Sequence, residues 1–592
     1  MSYLVQRVQE QLVDAVKAAA SSAAQDGIFS CLPAAEFRVE VPQNRAFGDF
    51  SANAAMAWAK ELRMPPRAIA QALAERLNTK GSYFSKVEFA GAGFLNFYLD
   101  SSYYAAVLLD IADKGEAYGA SSWGSGKKIN VEFVSANPTG PMHMGNARGG
   151  ALGDCLAAVL ERAGCSVTRE FYMNDAGNQI VKLAKSLDIR ACQLFELLEK
   201  GLSAELSAAQ RLLRDEKFLD TDEAKAITQI PEDCYQGADI LALAAAYAQQ
   251  EGWEFLEYDE QERQRLLVEF ALPKNMEAIR ETLAKYRIEY DRWFYESELH
   301  ESGQVDELLE EMKAKGLTYE QDGALWYKAT EHGGEKDEVL VRANGIPTYF
   351  AADIAYHRNK LLTRGFDLAI DIWGADHHGH VARMQAALDA LGLDGKNRLK
   401  VILMQLVRLV SNGAPVRMSK RTGNAITLAD LLDDIPVDAA RFLFNLREPE
   451  TQMDFDLDIA VQQTSQNPVY YCQYAHARAC SVLRRLAEQG KALRKCTLEE
   501  LSLLSAPEER ELISHLAALT DETIAAARQY DPAKITRYCL ELSTLYHKFY
   551  AACRVNCEDD SLSAARLFLC DCVRSVLHSQ LTMFKITAPT EM

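Results

Sequence analysis

His143 and Lys420 are the residues whose chemical types and settings best suit work on a phosphate. His143 lies in Asn137-Pro138-Thr139-Gly140-Pro141-Met142-His143-Met144-Gly145-Asn146, and Lys420 lies far later, in Arg417-Met418-Ser419-Lys420-Arg421-Thr422-Gly423-Asn424. An imidazole at a helix start can donate to a phosphate oxygen, beside free amides and the positive end of the helix dipole. Gly145 carries no side chain, so a flat base or a ribose can approach the backbone there. Lys420, on a loop that runs into Gly423, can follow negative charge as it builds, with Ser419 and nearby amides as further donors. Each segment alone reads equally well as something ordinary, a surface histidine at a helix start or a solvated loop lysine. One after the other in a single chain, they support each other.

The surrounding elements are those of a nucleotide-binding sheet. Ile129, Val131 and Phe133 alternate with Asn130 and Glu132, which predicts a strand. Asn137 to Pro141 breaks it, and Leu152, Leu156, Val159 and Leu160 recur at helical spacing until Gly164. Ser166 to Phe171 is the next strand, so strand, helix and strand open a parallel sheet. Helical patterns dominate from 178 to about 290 and read as an insertion between two halves of that sheet. The sheet is expected to resume near Val339-Leu340-Val341-Arg342. Pro347 then opens a helix that Gly365 closes, and Leu368 to Trp373 is a buried-type strand running into Gly374-Ala375-Asp376-His377-His378-Gly379-His380. Around Asn412-Gly413 the pattern is a hairpin, followed by the loop of Lys420.

Two carboxylates could serve this crevice. Glu132 ends the strand before the His143 loop, and Asp353 shares a helix face with Tyr349, four residues earlier. Paired acids beside a phosphate site suit a planar cation with five donors and no acceptor. By position alone they serve equally well as an outward strand residue and a surface helix acid.

Composition bounds the rest. The 592 residues are 48% apolar and 25% charged, enough for several domains with their own cores. The amphipathic, acid-containing start lacks the form of a secretory signal, and no apolar run is long enough to span a bilayer, so a cytoplasmic protein is expected. The thirteen cysteines lack paired ligand spacing and read as structural thiols. His377, His378 and His380 invite a metal reading but lack the carboxylate spacing that would complete a ligand set. A net charge of −20 argues against indiscriminate nucleic-acid coating but leaves room for local basic strips that hold one RNA.

The two signatures resemble those of class I aminoacyl-tRNA synthetases. Glu132-Phe133-Val134-Ser135-Ala136-Asn137, Pro347-Thr348-Tyr349-Phe350-Ala351-Ala352-Asp353 and Gly374-Ala375-Asp376-His377-His378-Gly379 look like arginyl-tRNA synthetase of bacterial type. The similarity extends over essentially the whole chain. It implies an α/β, Rossmann-type parallel-sheet catalytic domain over 111–435, with helices inserted over about 178–290. An N-terminal α/β module over 1–110 would touch the tRNA elbow, and an all-α anticodon-binding bundle would fill 436–592. It implies a ligase that turns arginine and ATP into arginyl-adenylate and passes arginine to tRNA(Arg), usually with tRNA needed for the first step. ATP would bring Mg²⁺, held mainly by its phosphates and water.

Carried over residue by residue, the resemblance gives His143, Asn146, Ser419 and Lys420 catalytic roles and places ATP on His143, Gly145, Asn146, Met418 and Lys420. Glu132 and Asp353 would bind the guanidinium, Tyr349 would line its pocket, and Asn137 would hold the α-amino and carboxylate end, with Asp376 or His377 contributing. Asn146 stands where the fuller signature has a second histidine, Arg417 replaces lysine, and Arg421 replaces serine. Asn53, from the segment Gly48 to Asn53, and Tyr474, His476 and Tyr550, from helical stretches mixing rings with bases, are the candidate tRNA contacts. A monomer is expected. The competing readings are a class I synthetase for another amino acid, against which the acidic pair argues, and a tRNA-binding paralogue without catalysis, against which His143, Gly145 and Lys420 argue.

Overall fold

The computed structural model describes residues 3–42, 44, 47–199, 229–416 and 426–592. Its centre is a five-stranded parallel sheet made of β1 (Lys128–Glu132), β2 (Ser166–Met173), β3 (Arg292–Tyr295), β4 (Leu368–Gly374) and β5 (Leu399–Met404). The spatial order is β5-β4-β1-β2-β3, with every neighbouring pair parallel. Strand order reverses between β1 and β4, and ligands of such sheets bind in the crevice outside the carboxyl ends at that point. The crossover from β1 to β2 is α1 (Gly145–Arg162), which packs so closely that a methyl at Gly153 would lie 2.1 Å from the Phe133 ring.

Between β2 and β3 the described insertion consists of α2 (Asn178–Glu199), α3 (Ala238–Glu251) and α4 (Glu260–Lys285), which share a small core of their own around Leu183, Leu187, Ile240 and Leu267. The first half of the sheet therefore ends with β3, before the segment Val339–Arg342. Glu338–Val341 instead pairs antiparallel with Ala324–Tyr327 in a separate three-stranded sheet. The expectation that the parallel sheet resumes there was wrong. Its apolar run is that of a strand, but the turn at Gly323 and the pairing with Tyr327 and Trp326 complete a local meander first. α5 (Tyr349–Arg358) follows, capped by the Thr348 hydroxyl on the Ala351 amide, and it ends in a π-helical turn, Asn359–Thr363. α6 (His378–Ala390) leaves the end of β4.

After β5, Val407–Ser411 and Ala414–Pro415 form the expected hairpin, with Asn412 and Gly413 both at positive φ as a tight hairpin turn requires. Met453–Asp456 adds to it in parallel, and Asp456 caps the next short helix while Asp458 accepts from Ser411 and the Asn412 amide.

The N-terminal module holds the helix Tyr3–Gln25 and a four-stranded antiparallel sheet with Phe94–Leu99 inside it and Phe84–Ala90 at its edge. Ser51 sits in the strand Phe50–Ala52, and the helix that follows begins at Ala54. The helix Ser101–Lys114 then leaves this module and packs on the C-terminal helices: Tyr118 Oη donates to the Leu516 carbonyl, and the Arg510 guanidinium lies 5.5 Å from the Tyr104 ring. From Val437 onward the chain is helical apart from Met453–Asp456. Arg441, fully buried, binds Asp154 of α1, the Tyr286 carbonyl after α4 and the Phe584 carbonyl near the C-terminus.

Candidate active site

The loop after β1 is built by an unusual backbone. Val134 and Ser135 both lie in the left-handed region (φ +70° and +44°), a costly conformation for a β-branched residue. Ser135 holds the turn with its hydroxyl, donating to Glu132 Oε1 (2.9 Å) and accepting from the Tyr172 amide (3.1 Å). The inserted helices brace the next residues: buried Asn275 of α4 donates to the Pro138 carbonyl (2.9 Å). Asn137 itself is exposed.

His143 is exposed at the head of α1, its Nδ1 accepting from the Gly145 amide (3.1 Å). This turns Nε2 outward as the available donor. Met418, Ser419 and Lys420 lie outside the described residues, but the flank that follows their segment meets the His143 loop. The Met144 amide donates to the Ile426 carbonyl (3.0 Å), the Leu428 amide donates to the Met142 carbonyl (2.8 Å), and His143 bridges to Thr427. A cavity of about 500 Å³ opens between them, lined by His143, Met144, Val407, Val416, Ile426 and Met453. Its apolar walls and the adjacent helix start suit a purine with phosphates beyond it.

A second, smaller cavity of about 230 Å³ holds one acid, Glu296, with Tyr349, Thr348, Ala352, Asn178, His300 and Arg342 also lining it. Glu296 stands directly after β3 and is buried, with the Tyr172 hydroxyl donating to its Oε2 (2.7 Å). Burial pushes its carboxyl up to about 7, Asp353 and Asp175 adding to the rise while the Tyr172 hydrogen bond opposes it. Tyr349 is 40% exposed and its hydroxyl accepts from the Asn178 amide (3.2 Å). Asp353, one turn further along α5, is partly exposed and bonded to His380 Nε2 (3.0 Å). A carboxyl whose proton affinity is raised by neighbouring acids sits in a surplus of negative charge that a bound cation would relieve.

The structure thus places Tyr349 and Glu296 in one cavity, with Asp353, held by His380, close enough to raise the Glu296 carboxyl; Glu296 and His380 are residues that sequence reasoning missed. The signal for Glu296 was available: Arg292-Trp293-Phe294-Tyr295 is a strand pattern ending in an acid, as the segment before Glu132 is. Asp376 and His377, expected in the slot, expose their side chains and lie 3.6 Å apart, because the first turn of α6 carries His380 toward Asp353 instead. Glu132 is buried with partners of its own, Ser135 and the Lys360 ammonium (2.5 Å), and burial raises its carboxyl pKa in spite of that ammonium.

Among the candidate tRNA contacts, Asn53 accepts from the Arg38 amide (2.7 Å) and bonds the Arg38 carbonyl, so it ties two strands of the N-terminal module. His476 is 1% exposed and bonded to the Pro589 carbonyl (2.8 Å), so the tail shields it from an outside partner and the expectation of a contact there does not fit. Tyr474 and Tyr550 flank the Arg478 guanidinium at 4.6 and 5.2 Å, a stacked group of rings and cation. No helix among the described residues is long and apolar enough to cross a membrane.

Comparison with known proteins covers the whole chain. Residues 6–99 match the family model described as the arginyl tRNA synthetase N terminal domain, 110–479 the class I (R) tRNA synthetase catalytic domain, and 472–592 the DALR anticodon binding domain. The arginine–tRNA ligase of Caldanaerobacter subterraneus subsp. tengcongensis is 47% identical over 592 residues, and that of Acetivibrio thermocellus 46% identical over 592, each alignment spanning 100% of both chains. The arginyl-tRNA synthetase structure from Thermus thermophilus superposes with a TM-score of 0.68 at 23% identity, covering 98% of this chain and 100% of the other, a likeness of fold.

Proposed function

The chain belongs to the arginyl-tRNA synthetases of class I, and from that premise we propose how its residues divide the work. The enzyme activates arginine with ATP and charges tRNA(Arg). In the first step an arginine carboxylate oxygen attacks the α-phosphorus, the bond to the bridging oxygen breaks, and pyrophosphate leaves with the electron pair. In the second a hydroxyl of the terminal ribose attacks the carbonyl carbon of the adenylate, loses its proton, and displaces AMP.

Neither step needs covalent help from the protein, so alignment and charge stabilisation carry the rate. The adenine occupies the cavity between Met144, Val407 and Met453. His143 Nε2 and the α1 amides meet the α-phosphate, Asn146 bonds the ribose or a phosphate, and Ser419 and Lys420 hold the departing pyrophosphate. Mg²⁺ arrives with ATP, held by phosphate oxygens and water. The guanidinium enters the slot between Glu296 and Asp353, with Tyr349 along its side, and Asn137 receives the α-amino and carboxylate end. The enzyme works as a cytoplasmic monomer. Tyr474, Arg478 and Tyr550 offer stacking faces to anticodon bases.

Buried Glu296 directly after β3, with Asp353 near enough to raise its carboxyl, is the observation that supports arginine rather than a neutral amino acid. Pyrophosphate exchange with each amino acid in turn, with and without tRNA, tests it. Exchange with arginine alone is expected. Exchange with an uncharged amino acid at a comparable kcat/KM would remove the assigned role of the slot.

A further inference from the structure

Three carboxylates stand in one rank across the middle of the sheet. Glu132 of β1 faces Asp371 of β4 on one side and Glu170 of β2 on the other, each directly opposite in register and therefore on the same face. All three are buried, at 7%, 0% and 0% exposure, which like charges could not tolerate without counter-charges. α5 and its π-helical turn supply them. His357 Nε2 bonds Asp371 Oδ2 (2.6 Å), Arg364 grips Glu170, and Lys360 lies between Glu132 Oε2 (2.5 Å) and Asp371 Oδ1 (2.9 Å). Lys360 is completely buried, with its ammonium 4.2 Å from the Tyr356 ring. The extra residue that a π turn fits into a helical turn brings its side chain inward there.

Glu132 has a second bond, to the Ser135 hydroxyl, and Ser135 is half of the left-handed pair that precedes exposed Asn137. A backbone of this kind is costly and persists only where its surroundings hold it. The continuous path from Lys360 through Glu132 to Ser135 is what holds it.

We propose that Lys360 is a positioning residue for the amino-acid end of the site: clamped between Glu132 and Asp371, it fixes Glu132, which through Ser135 sets the left-handed turn that aims Asn137 into the crevice. This rests on the reading above that Asn137 receives the amino acid. Lys360 touches no substrate. Its effect on arginine is indirect, and ATP, bound at the far end of the same loop by His143 and its neighbours, is untouched by it.

The test is a double-variant cycle on the full-length enzyme with tRNA present, read as separate KM values for arginine and ATP in pyrophosphate exchange. Lys360→Met and Ser135→Ala are each expected to raise the arginine KM about ten-fold, with the ATP KM within about two-fold of wild type. The double variant is expected to be no worse than the poorer single one, because both break the same path. Lys360→Arg keeps the charge and should recover part of the loss. If Lys360→Met does not fold, Glu132→Gln replaces it in the cycle with the same expectation. Effects that multiply, or KM values for arginine and ATP that rise together, would overturn the proposal. Asn137→Ala separates it from the underlying reading: an unchanged arginine KM there refutes the role of Asn137 itself. A raised one, combined with a wild-type KM in Ser135→Ala, refutes only the path through Lys360.

Discussion

A carboxyl group titrating near neutrality is an effective sensor of its own ligand. Glu296 is held at about 7 mainly by burial, while a guanidinium stays charged across the physiological range. With the guanidinium seated at Glu296 as proposed, arginine should bind best to the ionised form and lower the pKa of Glu296, with proton release accompanying binding. The sign follows: arginine affinity rises with pH up to about 7 and levels off above, and each unit below about 6 costs up to ten-fold. Measured between about pH 5.5 and 8, the arginine KM should fall on that curve. Glu296→Gln should raise the KM and flatten it, and a variant that keeps the wild-type slope would place the titrating group elsewhere. His143, Gly145, Tyr349 and Asp353 were legible because loop glycines, helix starts and paired acids carry their chemistry in their spacing. Glu296 carried only a weak local signal, an acid at the end of a strand pattern, whereas Lys360 becomes meaningful only through the register of strands that are distant in the sequence.

Among the elements, the tightest fit is that of α1 on β1. Gly153 is the reason the Phe133 ring can lie flat against the helix: a Cβ would stand 2.1 Å from Cγ and 2.5 Å from Cβ of Phe133. Gly153→Ala is therefore expected to destabilise the catalytic domain by about 1–3 kcal/mol, although alanine is the better helix former. Phe133 immediately precedes Val134, so the arginine kcat/KM should fall with stability. Unfolding monitored with and without arginine checks both, and an unchanged midpoint would mean the helix shifts freely. The Asn412-Gly413 hairpin and the β1-α1-β2 unit were readable because turn chemistry and short-range periodicity are local. The strand Glu338–Val341 was assigned to the wrong sheet because an apolar run specifies extended backbone but not its partner. The π turn left no local mark at all.

The domains meet through buried polar groups. Arg441 satisfies Asp154 and two backbone carbonyls from separate parts of the chain, so Arg441→Met leaves a buried acid and two carbonyls short of partners. The cost is about 3–5 kcal/mol, moderated by Arg169 and Lys585, which also pair with Asp154. Faster proteolytic cleavage near Phe584 and a lower melting temperature are the expected results. A tail as resistant as in the wild type would show that Arg441 is dispensable there. The division into a leading module, a catalytic sheet and a helical end was legible from composition and pattern, but the seams between them were not, since Ser101–Lys114 crosses one and Arg441 the other. The first of these seams has a practical consequence. Because the helix leaving the N-terminal module is seated among the last helices of the chain, head and foot of the enzyme are packed against each other. Removing the first 120 or so residues as a detachable appendage would strip the anticodon bundle of a wall, and the truncated protein should fail at its distant end first.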